Sequence, residues 1–195
     1  MNYPELKRIL DILLSVVIIY LFFWLYAIIA IAIILEDGGA VLFKQKRVGK
    51  DKSYFYIYKF RTMKQDSPKD VPTHLLVDPD KYITRVGAFL RKTSLDELPQ
   101  IINILKGDMS FVGPRPALYN QYDLIELRDI YKANSVLPGL TGLAQINGRD
   151  ELELETKAKY DGEYVRNMSL AFDIKILLKT VVSVFTFDGV REGKQ

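Results

Sequence analysis

Residues 94–116 read SLDELPQIINILKGDMSFVGPRP, and this stretch predicts the centre of the fold. Two adjacent acids, Asp96 and Glu97, precede an apolar run at 101–105 whose spacing fits one face of a helix. A glycine soon after the run is a typical helix end, and the Gly-Pro-Arg-Pro sequence beyond it forms a rigid turn that presents Arg115. The stretch therefore predicts an acid pair at the start of a helix, with a guanidinium group close to it.

The local sequence leaves two interpretations of the acid pair open. The positive end of a helix dipole favours an ionised carboxylate by roughly 0.3 to 1 kcal/mol, and an ionised aspartate can act as a nucleophile. Ser94 and Glu97 also have the spacing of a capping box, in which Asp96 would be an ordinary cap. Arg91 and Arg115 lie on either side of the pair, and guanidinium groups suit phosphate oxygens. These flanking charges favour a site that handles phosphate.

The composition limits the chemistry that such a site could use. The chain of 195 residues is long enough for one domain with a hydrophobic core and a membrane segment. It has no cysteine, which excludes disulfides, thiolate nucleophiles and zinc–thiolate sites. The one histidine, His74, lies in a polar stretch typical of a loop, which disfavours a Ser-His mechanism or a histidine-rich metal site. Covalent catalysis must then use oxygen or nitrogen, and the composition favours carboxylate chemistry.

An apolar segment near the N-terminus predicts attachment to a membrane. Residues 12–35 are 24 positions without a charged side chain, and at about 1.5 Å per residue they could cross a bilayer core. The run is too long for the core of a signal peptide. Basic residues flank it on both sides, at 7–8 and at 44–47, and cytoplasmic flanks are the ones that gather Lys and Arg. We expect a re-entrant helix with both ends in the cytoplasm, although the lack of an internal proline also permits one spanning helix.

Positive charge is concentrated directly after this segment. Between residues 36 and 64, eight basic side chains stand against three acidic ones, whereas the whole chain has a net charge of only +3. Such a cluster beside a membrane segment favours anionic head groups or a phosphorylated lipid. Tyrosines among these charges could instead stack nucleic acid bases. The position next to the membrane favours the lipid, and we expect no nucleic acid partner.

Two β-prone runs precede the central stretch. Residues 41–47 and 54–60 predict a β-hairpin that ends at Lys59 and Arg61. Its loop contains a Gly-Lys pair but lacks the other residues of a phosphate-binding P-loop, so we exclude that motif. The hairpin is therefore expected to form a small sheet.

Helical patterns predict four further segments, at 84–92, 117–134, 151–167 and 170–187. The first would carry Arg91 to the acid pair. The last has an apolar face opposite lysines, which is typical of an amphipathic helix in a membrane interface, although a helix packed in a core has the same pattern. The expected class is α/β: a mostly helical domain with a small β-hairpin, an N-terminal re-entrant membrane helix and amphipathic interfacial helices.

A glycine-rich stretch, LPGLTGLAQINGR at 137–149, combines three glycines with a terminal Arg149. Glycines let backbone amides approach a ligand closely, so this stretch could hold a nucleotide. A glycine-rich connector has the same composition, and the residues alone leave both interpretations open.

Several long motifs, taken in order, resemble one protein family. They are VLFKQKRVGK at 41–50, YIYKFRTMK at 56–64, LRKTSLDELPQIINILKGDMSFVGPRP at 90–116 and LPGLTGLAQINGR at 137–149. This series resembles the bacterial sugar transferases, the monotopic phosphoglycosyl transferases, and the resemblance covers nearly the whole chain.

The resemblance implies a reaction and a site. The family moves a sugar phosphate from a UDP-sugar to undecaprenyl phosphate and releases UMP, with Mg²⁺ as cofactor. It uses a covalent intermediate on the Asp of an Asp-Glu pair, so Asp96 is the expected nucleophile, with Glu97 as its partner and both acids as Mg²⁺ ligands. Residues expected to bind substrate or phosphate are Lys59, Arg61, Arg91, Arg115 and Arg149, together with an acid, Asp173, near the active site.

The resemblance also implies an arrangement in the cell. Residues 1–35 would form the membrane helix, and residues 36–195 a catalytic domain on the cytoplasmic face of the inner membrane, in contact with lipids. The step would begin the assembly of a surface glycan. Two alternatives are a transferase with another nucleotide-linked donor and an inactive membrane-bound scaffold, which the intact Asp96 and Glu97 argue against. The sequence leaves the sugar, the glycan pathway and the oligomeric state open.

Overall fold

The fold is described from a computed structural model that covers residues 2–67, 81–148 and 152–186, with side chains as far as residue 183. Helices make up 60% of these residues. The α-helices are α1 Tyr3–Asp37, α2 Arg85–Lys92, α3 Gln100–Lys106, α4 Tyr122–Ile130, α5 Leu154–Asn167 and α6 Leu170–Thr186. The strands are β1 Leu42–Val48, β2 Tyr54–Phe60, β3 Ser110–Val112 and β4 Gly139–Thr141. The expectation of a mostly helical chain with a small β-hairpin is confirmed.

Helix α1 is uninterrupted over 35 residues. A capping box fixes its start, because the Asn2 side chain accepts a hydrogen bond from the Glu5 amide at 3.1 Å and the Glu5 carboxylate accepts one from the Asn2 amide at 3.2 Å. The helix ends before Gly38, whose φ of 61° leaves the helical region. Among the described residues, α1 is the one helix long and apolar enough to cross a membrane, as the apolar segment predicts. It continues to Asp37, so the predicted boundary at residue 35 lies within its last turn.

Both ends of α1 are held by the rest of the chain. Near its start, the Arg8 guanidinium donates to two carbonyls in the last turn of α3, at 2.5 and 2.9 Å. Near its end, the Glu36 carboxylate accepts hydrogen bonds from the first two amides of α2, at 2.7 and 2.9 Å. Residues 20–24 between these anchors are all exposed. The two ends of α1 therefore contact the same body of protein, while the middle of the helix is left uncovered.

The hairpin forms as expected, with β1 and β2 paired antiparallel over their whole length. Because successive side chains of a strand point to opposite faces, β2 buries Phe55 and Ile57 and exposes Tyr54 and Tyr56. On the other edge of β2, the buried Asn103 side chain of α3 donates to one backbone carbonyl at 2.8 Å and accepts from one backbone amide at 3.0 Å. Asn103 thus replaces a neighbouring strand and fixes α3 beside the hairpin.

A second small sheet, β3 paired in parallel with β4, is not predicted by the sequence pattern. Each of its strands is three residues long, which is too short for a recognisable alternation. The backbones around it are packed closely, because a Cβ at Gly139 would lie 2.1 Å from the Gly113 nitrogen. The glycine-rich stretch therefore contributes a strand to the core as well as a connection.

Helix α4 is shorter than the predicted segment 117–134. Leu118 forms a β-bridge with Arg47, and the Leu118 amide donates to the Gln121 side chain at 2.9 Å, so the chain makes a turn before the helix begins. After the helix, Lys132 has a φ of 58°, which is incompatible with a continuing right-handed helix. Long-range pairing and a left-handed residue thus limit α4 to its central part.

Candidate active site

The two acids lie in a tight turn between α2 and α3. Ser94 has a φ of 57°, and Leu95–Glu97 form a single turn of 3₁₀ helix before α3 begins. The Ser94 side chain makes no capping hydrogen bond, so the capping box permitted by the sequence is not formed. The acids therefore precede α3 in a turn of their own, and the alternative of an ordinary helix cap loses its support. This segment, Leu95–Leu98, is called the acid turn below.

Glu97 is held by two cations from distant parts of the chain. Its Oε1 atom accepts hydrogen bonds from Lys59 Nζ at 2.7 Å and from Arg115 Nη2 at 2.8 Å. Lys59 lies near the end of β2, whereas Arg115 is presented by the Gly-Pro-Arg-Pro turn that follows β3. The Lys59 ammonium is also 3.6 Å from the Asp96 Oδ2 atom. Hairpin, acid turn and Gly-Pro-Arg-Pro turn therefore meet at one cluster of charge.

The neighbouring acids differ in their electrostatic environment. Burial raises the pKa of Asp96, and the nearby charge of Lys59 offsets this only in part. Burial opposes ionisation of Glu97 as well, but Arg115 and Lys59 outweigh it and hold the pKa of that carboxyl well below its usual range. Within the described residues, no group donates a hydrogen bond to the Asp96 carboxylate. Asp96 is thus the acid whose oxygen lone pairs are available for reaction.

Arg91 also lies close to this cluster. Its Nε atom donates to the Thr62 hydroxyl at 2.9 Å, which fixes the side chain against the segment after β2. Its positive charge lowers the pKa of Asp96. The position follows from α2, which begins at a Thr84 cap and packs so closely that a Cβ at Gly87 would lie 2.0 Å from the Thr62 carbonyl oxygen. Helix α2 therefore brings Arg91 toward the acids, as the sequence predicts.

The described contacts of two other predicted site residues, Arg61 and Asp173, are made with other parts of the chain. Arg61 is buried and pairs with Asp37 at 3.0 Å, and it also donates to the Gly38 carbonyl, so it anchors the end of α1. Arg149 is outside the described residues, as is His74. Lys59 and Arg115 are thus bonded to Glu97 and Arg91 lies close to Asp96, whereas the described contacts of Arg61 are with the end of α1.

Asp173 belongs to a different cluster, between the start of α1, α5 and α6. Its carboxylate accepts hydrogen bonds from the Tyr164 hydroxyl at 2.8 Å and the Tyr3 hydroxyl at 2.6 Å, and it forms an ion pair with Lys7. None of its contacts among the described residues reaches Asp96. Asp173 therefore joins α1 to α5 and α6 in this structure.

The glycine-rich stretch supports the site indirectly. The Gly139 amide donates to the Pro114 carbonyl and the Gly113 amide donates to the Thr141 carbonyl, both at 2.9 Å. A Cβ at Gly142 would lie 2.1 Å from the Gly113 carbonyl oxygen. Because the Gly139 amide is already bonded within the protein, its contacts favour a connector at this point over a nucleotide-binding loop. The connector fixes the turn that presents Arg115.

The acid pair fits a Mg²⁺ ion whose remaining ligands come from substrate. The described residues contain no cluster of three side chains of the metal-binding types His, Cys, Asp and Glu. Mg²⁺, however, is commonly held by one or two carboxylates together with substrate phosphates and water. The Asp96 carboxylate and the Oε2 atom of Glu97 accept no hydrogen bond from the described residues. Two carboxylates with available oxygens are thus present, and a diphosphate would complete the coordination.

Two residues that support the site carry a weak signal in the sequence. Thr62 positions Arg91, and Asn103 holds α3 beside β2. Asn103 is recognisable as one polar residue within the apolar run of α3, and such residues are usually hydrogen-bonded when they are buried. The role of Thr62 depends on a contact across 29 residues, which local patterns do not reveal.

Comparison with known proteins places this arrangement in a family. The family model described as bacterial sugar transferase matches residues 2–187. The chain belongs to the bacterial sugar transferase family. The expectation drawn from the order of the sequence motifs is thereby confirmed.

Individual bacterial sugar transferases are similar over most of this chain. The exopolysaccharide production protein ExoY of Rhizobium meliloti is 38% identical over 91% of this chain and 84% of its own length. The UDP-glucose:undecaprenyl-phosphate glucose-1-phosphate transferase of Escherichia coli is 44% identical over 92% of this chain. The UDP-N-acetylgalactosamine-undecaprenyl-phosphate N-acetylgalactosaminephosphotransferase of Aeromonas hydrophila is 40% identical over 97% of this chain. The chain spans 40% of the length of the Escherichia coli protein and 46% of the Aeromonas protein.

Proposed function

We propose that this sugar transferase moves a sugar 1-phosphate from a UDP-sugar to undecaprenyl phosphate, yielding UMP and an undecaprenyl-diphosphate sugar. The relatives from Escherichia coli and Aeromonas are named for this type of reaction. One observation in the structure carries the proposal. Asp96 is buried and accepts no hydrogen bond from the described residues, while the adjacent Glu97 binds Lys59 and Arg115. A free nucleophilic oxygen thus lies beside two fixed cations.

In the first step, an oxygen of Asp96 attacks the phosphorus that carries the sugar. An oxygen–phosphorus bond to Asp96 forms as the bond to UMP breaks, and UMP leaves with the electron pair. Burial supports this role, because a carboxylate with little hydration loses less solvation when it attacks. Lys59, Arg91 and Arg115 supply positive charge where the donor phosphates would gather.

In the second step, an oxygen of undecaprenyl phosphate attacks the same phosphorus. The bond to Asp96 breaks and the carboxylate is restored, so the chain ends the cycle unchanged. The lipid tail of the acceptor requires the site to lie near a bilayer surface. Mg²⁺ held by Asp96 and Glu97 would neutralise part of the diphosphate charge, which otherwise repels a carboxylate nucleophile.

The exposed apolar surface supports a position at the membrane interface. Five side chains on one side of α6 are exposed, namely Leu170, Ile174, Leu178, Val181 and Val182. A cleft lined by α6 and by the start of α1 joins this surface to the membrane helix. Because both ends of α1 contact the same body, we infer that they lie on one side of the membrane, with α6 in the interface and α1 re-entrant although its helix contains no break. The flanking basic residues favour the cytoplasm as that side.

A UMP-release assay tests the proposed function. Purified full-length protein in lipid nanodiscs is incubated with Mg²⁺, undecaprenyl phosphate and each of a panel of UDP-sugars and of sugars linked to other nucleotides. We expect one donor or a few related donors to release UMP and to yield a lipid-linked sugar in equal amounts, and Asp96→Asn to abolish both products. An inactive scaffold would release no UMP from any donor, and a transferase with another nucleotide would respond only to non-uridine donors. Either result would refute the proposal.

A further inference from the structure

One contact joins the middle of the membrane helix directly to the acid turn. The Tyr26 hydroxyl of α1 donates to the Leu98 carbonyl at 2.7 Å, across 72 residues of sequence. Leu98 is the last residue of the acid turn and directly follows Glu97. The side chain of Tyr26 is partly buried, although it belongs to an apolar helix whose neighbouring residues 20–24 are exposed. The Tyr26 hydroxyl is thus bonded to the acid turn, although most of the surface of this part of α1 is exposed and apolar.

The Leu98 carbonyl, which accepts this hydrogen bond, lies where the acid turn ends and α3 begins. The Leu98 amide donates back to Leu95 at 3.2 Å and closes the acid turn, whereas the Leu98 carbonyl accepts the Ile101 amide at 3.1 Å at the start of α3. The orientation of this carbonyl therefore links the acid turn to α3. A second donor on the same oxygen restricts rotation of the peptide group that follows Leu98. Glu97 is one residue away and would move with it.

The ring of Tyr26 contacts the other half of the site. Its centroid is 5.6 Å from that of Phe60, with the two rings tilted by 59°. Phe60 directly follows Lys59, whose ammonium pairs with Glu97 at 2.7 Å. The hydroxyl of Tyr26 thus contacts the acid turn, and its ring contacts β2, the strand that carries Lys59. One side chain therefore contacts both elements that carry the paired charges of Lys59 and Glu97.

Helix α1 also holds the far end of the same unit. Arg8 donates to two carbonyls in the last turn of α3, so α1 is bonded both before and after this short helix. The acid turn and α3 are therefore fixed at two points by a helix whose exposed surface is apolar. A change in the depth or tilt of α1 in a bilayer would therefore change the position of the acids through these hydrogen bonds.

We propose that Tyr26 is a positioning residue, whose hydroxyl holds the acid turn in register with Lys59 and so makes the geometry of the active site depend on the membrane helix. This inference rests on the proposed function, because it assigns the reaction to the acid turn. A displacement of reacting groups by about 1 Å can lower a rate by about a hundred-fold. Loss of one hydrogen bond at the edge of the turn is expected to have a smaller effect on the rate.

The test is Tyr26→Phe in the full-length protein in nanodiscs, which removes the hydroxyl and retains the ring contact. We expect kcat to fall about ten-fold while KM for the UDP-sugar changes less than about two-fold, since the cations remain in place. The matched control is Tyr20→Phe on the same helix, whose parent side chain is 76% exposed and which should leave kcat unchanged. Unchanged kcat in Tyr26→Phe would overturn the proposal, and so would an equal loss in both variants.

Hydrogen exchange provides a readout that does not depend on activity. Amides of residues 95–101 should exchange about three- to ten-fold faster in Tyr26→Phe than in the unmodified protein, while amides of α5 should not change. Equal acceleration in α5 would indicate general loosening of the fold and would overturn a positioning role. If the unmodified protein released no UMP, the proposed function would fail, whereas the exchange experiment would still decide whether Tyr26 holds the acid turn.

Discussion

Asp96 and Glu97 are adjacent in the chain but have different environments. Glu97 binds two cations through one oxygen, which stabilises its charge, whereas Asp96 is buried without a hydrogen bond from the described residues. A carboxylate that is already bonded is a poor nucleophile, because attack would break its existing contacts. Under the proposed function, this difference favours Asp96 for the covalent chemistry and Glu97 for the organisation of the basic residues.

We therefore predict that Asp96 becomes covalently modified. Protein incubated with a UDP-sugar alone, then digested, should yield an Asp96 peptide heavier by one phospho-sugar in mass spectrometry. Asp96→Asn should lose at least about a thousand-fold in turnover, because an amide oxygen is a weak nucleophile. Full activity of Asp96→Asn would show that the reaction uses another route.

Arg115 should be replaceable by lysine only at a cost to turnover. A guanidinium group presents several fixed donors and can bind a phosphate while it remains bonded to Glu97, whereas an ammonium group is a single compact charge. We expect Arg115→Lys to lower kcat/KM by about ten- to a hundred-fold in steady-state kinetics. Arg166→Lys, on the exposed side of α5, is the matched control and should behave like the unmodified protein. Near-normal turnover of Arg115→Lys would contradict a role in phosphate binding.

Removal of divalent metal should abolish turnover, and Mg²⁺ should restore it. If Glu97 is a ligand, Glu97→Gln should need about ten-fold more Mg²⁺ for half-maximal rate, since a neutral amide binds a hard cation weakly. The measurement is UMP release against Mg²⁺ concentration for both proteins. An unchanged Mg²⁺ dependence would limit Glu97 to binding Lys59 and Arg115.

Among the described residues both sheets have only two strands, so contacts between helices contribute much of the packing between elements. Helices α4 and α5 are joined by a buried ion pair, in which Arg128 donates to Asp161 at 2.6 and 2.8 Å. Both side chains are almost completely buried. Removing one member of such a pair leaves an uncompensated buried charge, which is usually far more costly than losing an exposed pair.

Asp161→Asn should therefore destabilise the protein by about 3 to 5 kcal/mol, because it leaves Arg128 without its counter-charge. The measurement is the thermal midpoint Tm of the purified protein, which should fall by about 10 °C for a chain of this size. Asp129→Asn is the matched control, since Asp129 pairs with Lys52 at 2.8 Å on the surface. If both substitutions shifted Tm equally, the buried pair would have no special importance for stability.

Helix α1, the one helix among the described residues that is long and apolar enough to cross a membrane, is bonded to the elements that carry the acids. Arg8 and Tyr26 bind the acid turn and α3, and Glu36 caps α2. Between the two ends, residues 20–24 are exposed and apolar. Contacts at both ends with one domain are compatible with entry and exit on the same side of a bilayer, and the uncovered middle is the part available to lipid.

Cysteine labelling tests this topology, because the chain has no cysteine of its own. Asn2→Cys and Lys50→Cys place single thiols at exposed positions on either side of α1. With a membrane-impermeant maleimide, we expect neither thiol to be labelled in intact cells and both to be labelled after lysis, which also controls for reactivity. Labelling of the Asn2→Cys protein alone in intact cells would establish a spanning helix instead.

Features that depend on neighbouring residues could be predicted from the sequence. The apolar run predicts α1, alternation predicts the hairpin, and the Gly107 signal predicts the end of α3, where φ is 92°. The motifs around Asp96 identify the family and the candidate nucleophile. The predictions of α1, of the hairpin and of the end of α3 succeed because helix periodicity, strand alternation and glycine conformation are properties of short segments.

Which basic residues contact the acids depends on tertiary packing, which the sequence pattern does not reveal. Lys59 and Arg61 are two positions apart, yet Lys59 pairs with Glu97 and Arg61 pairs with Asp37. Tyr26 looked like one more residue of an apolar helix, and its bond to the acid turn spans 72 positions. Such contacts depend on how separate elements pack, and a local pattern contains no information about the position of a partner far along the chain.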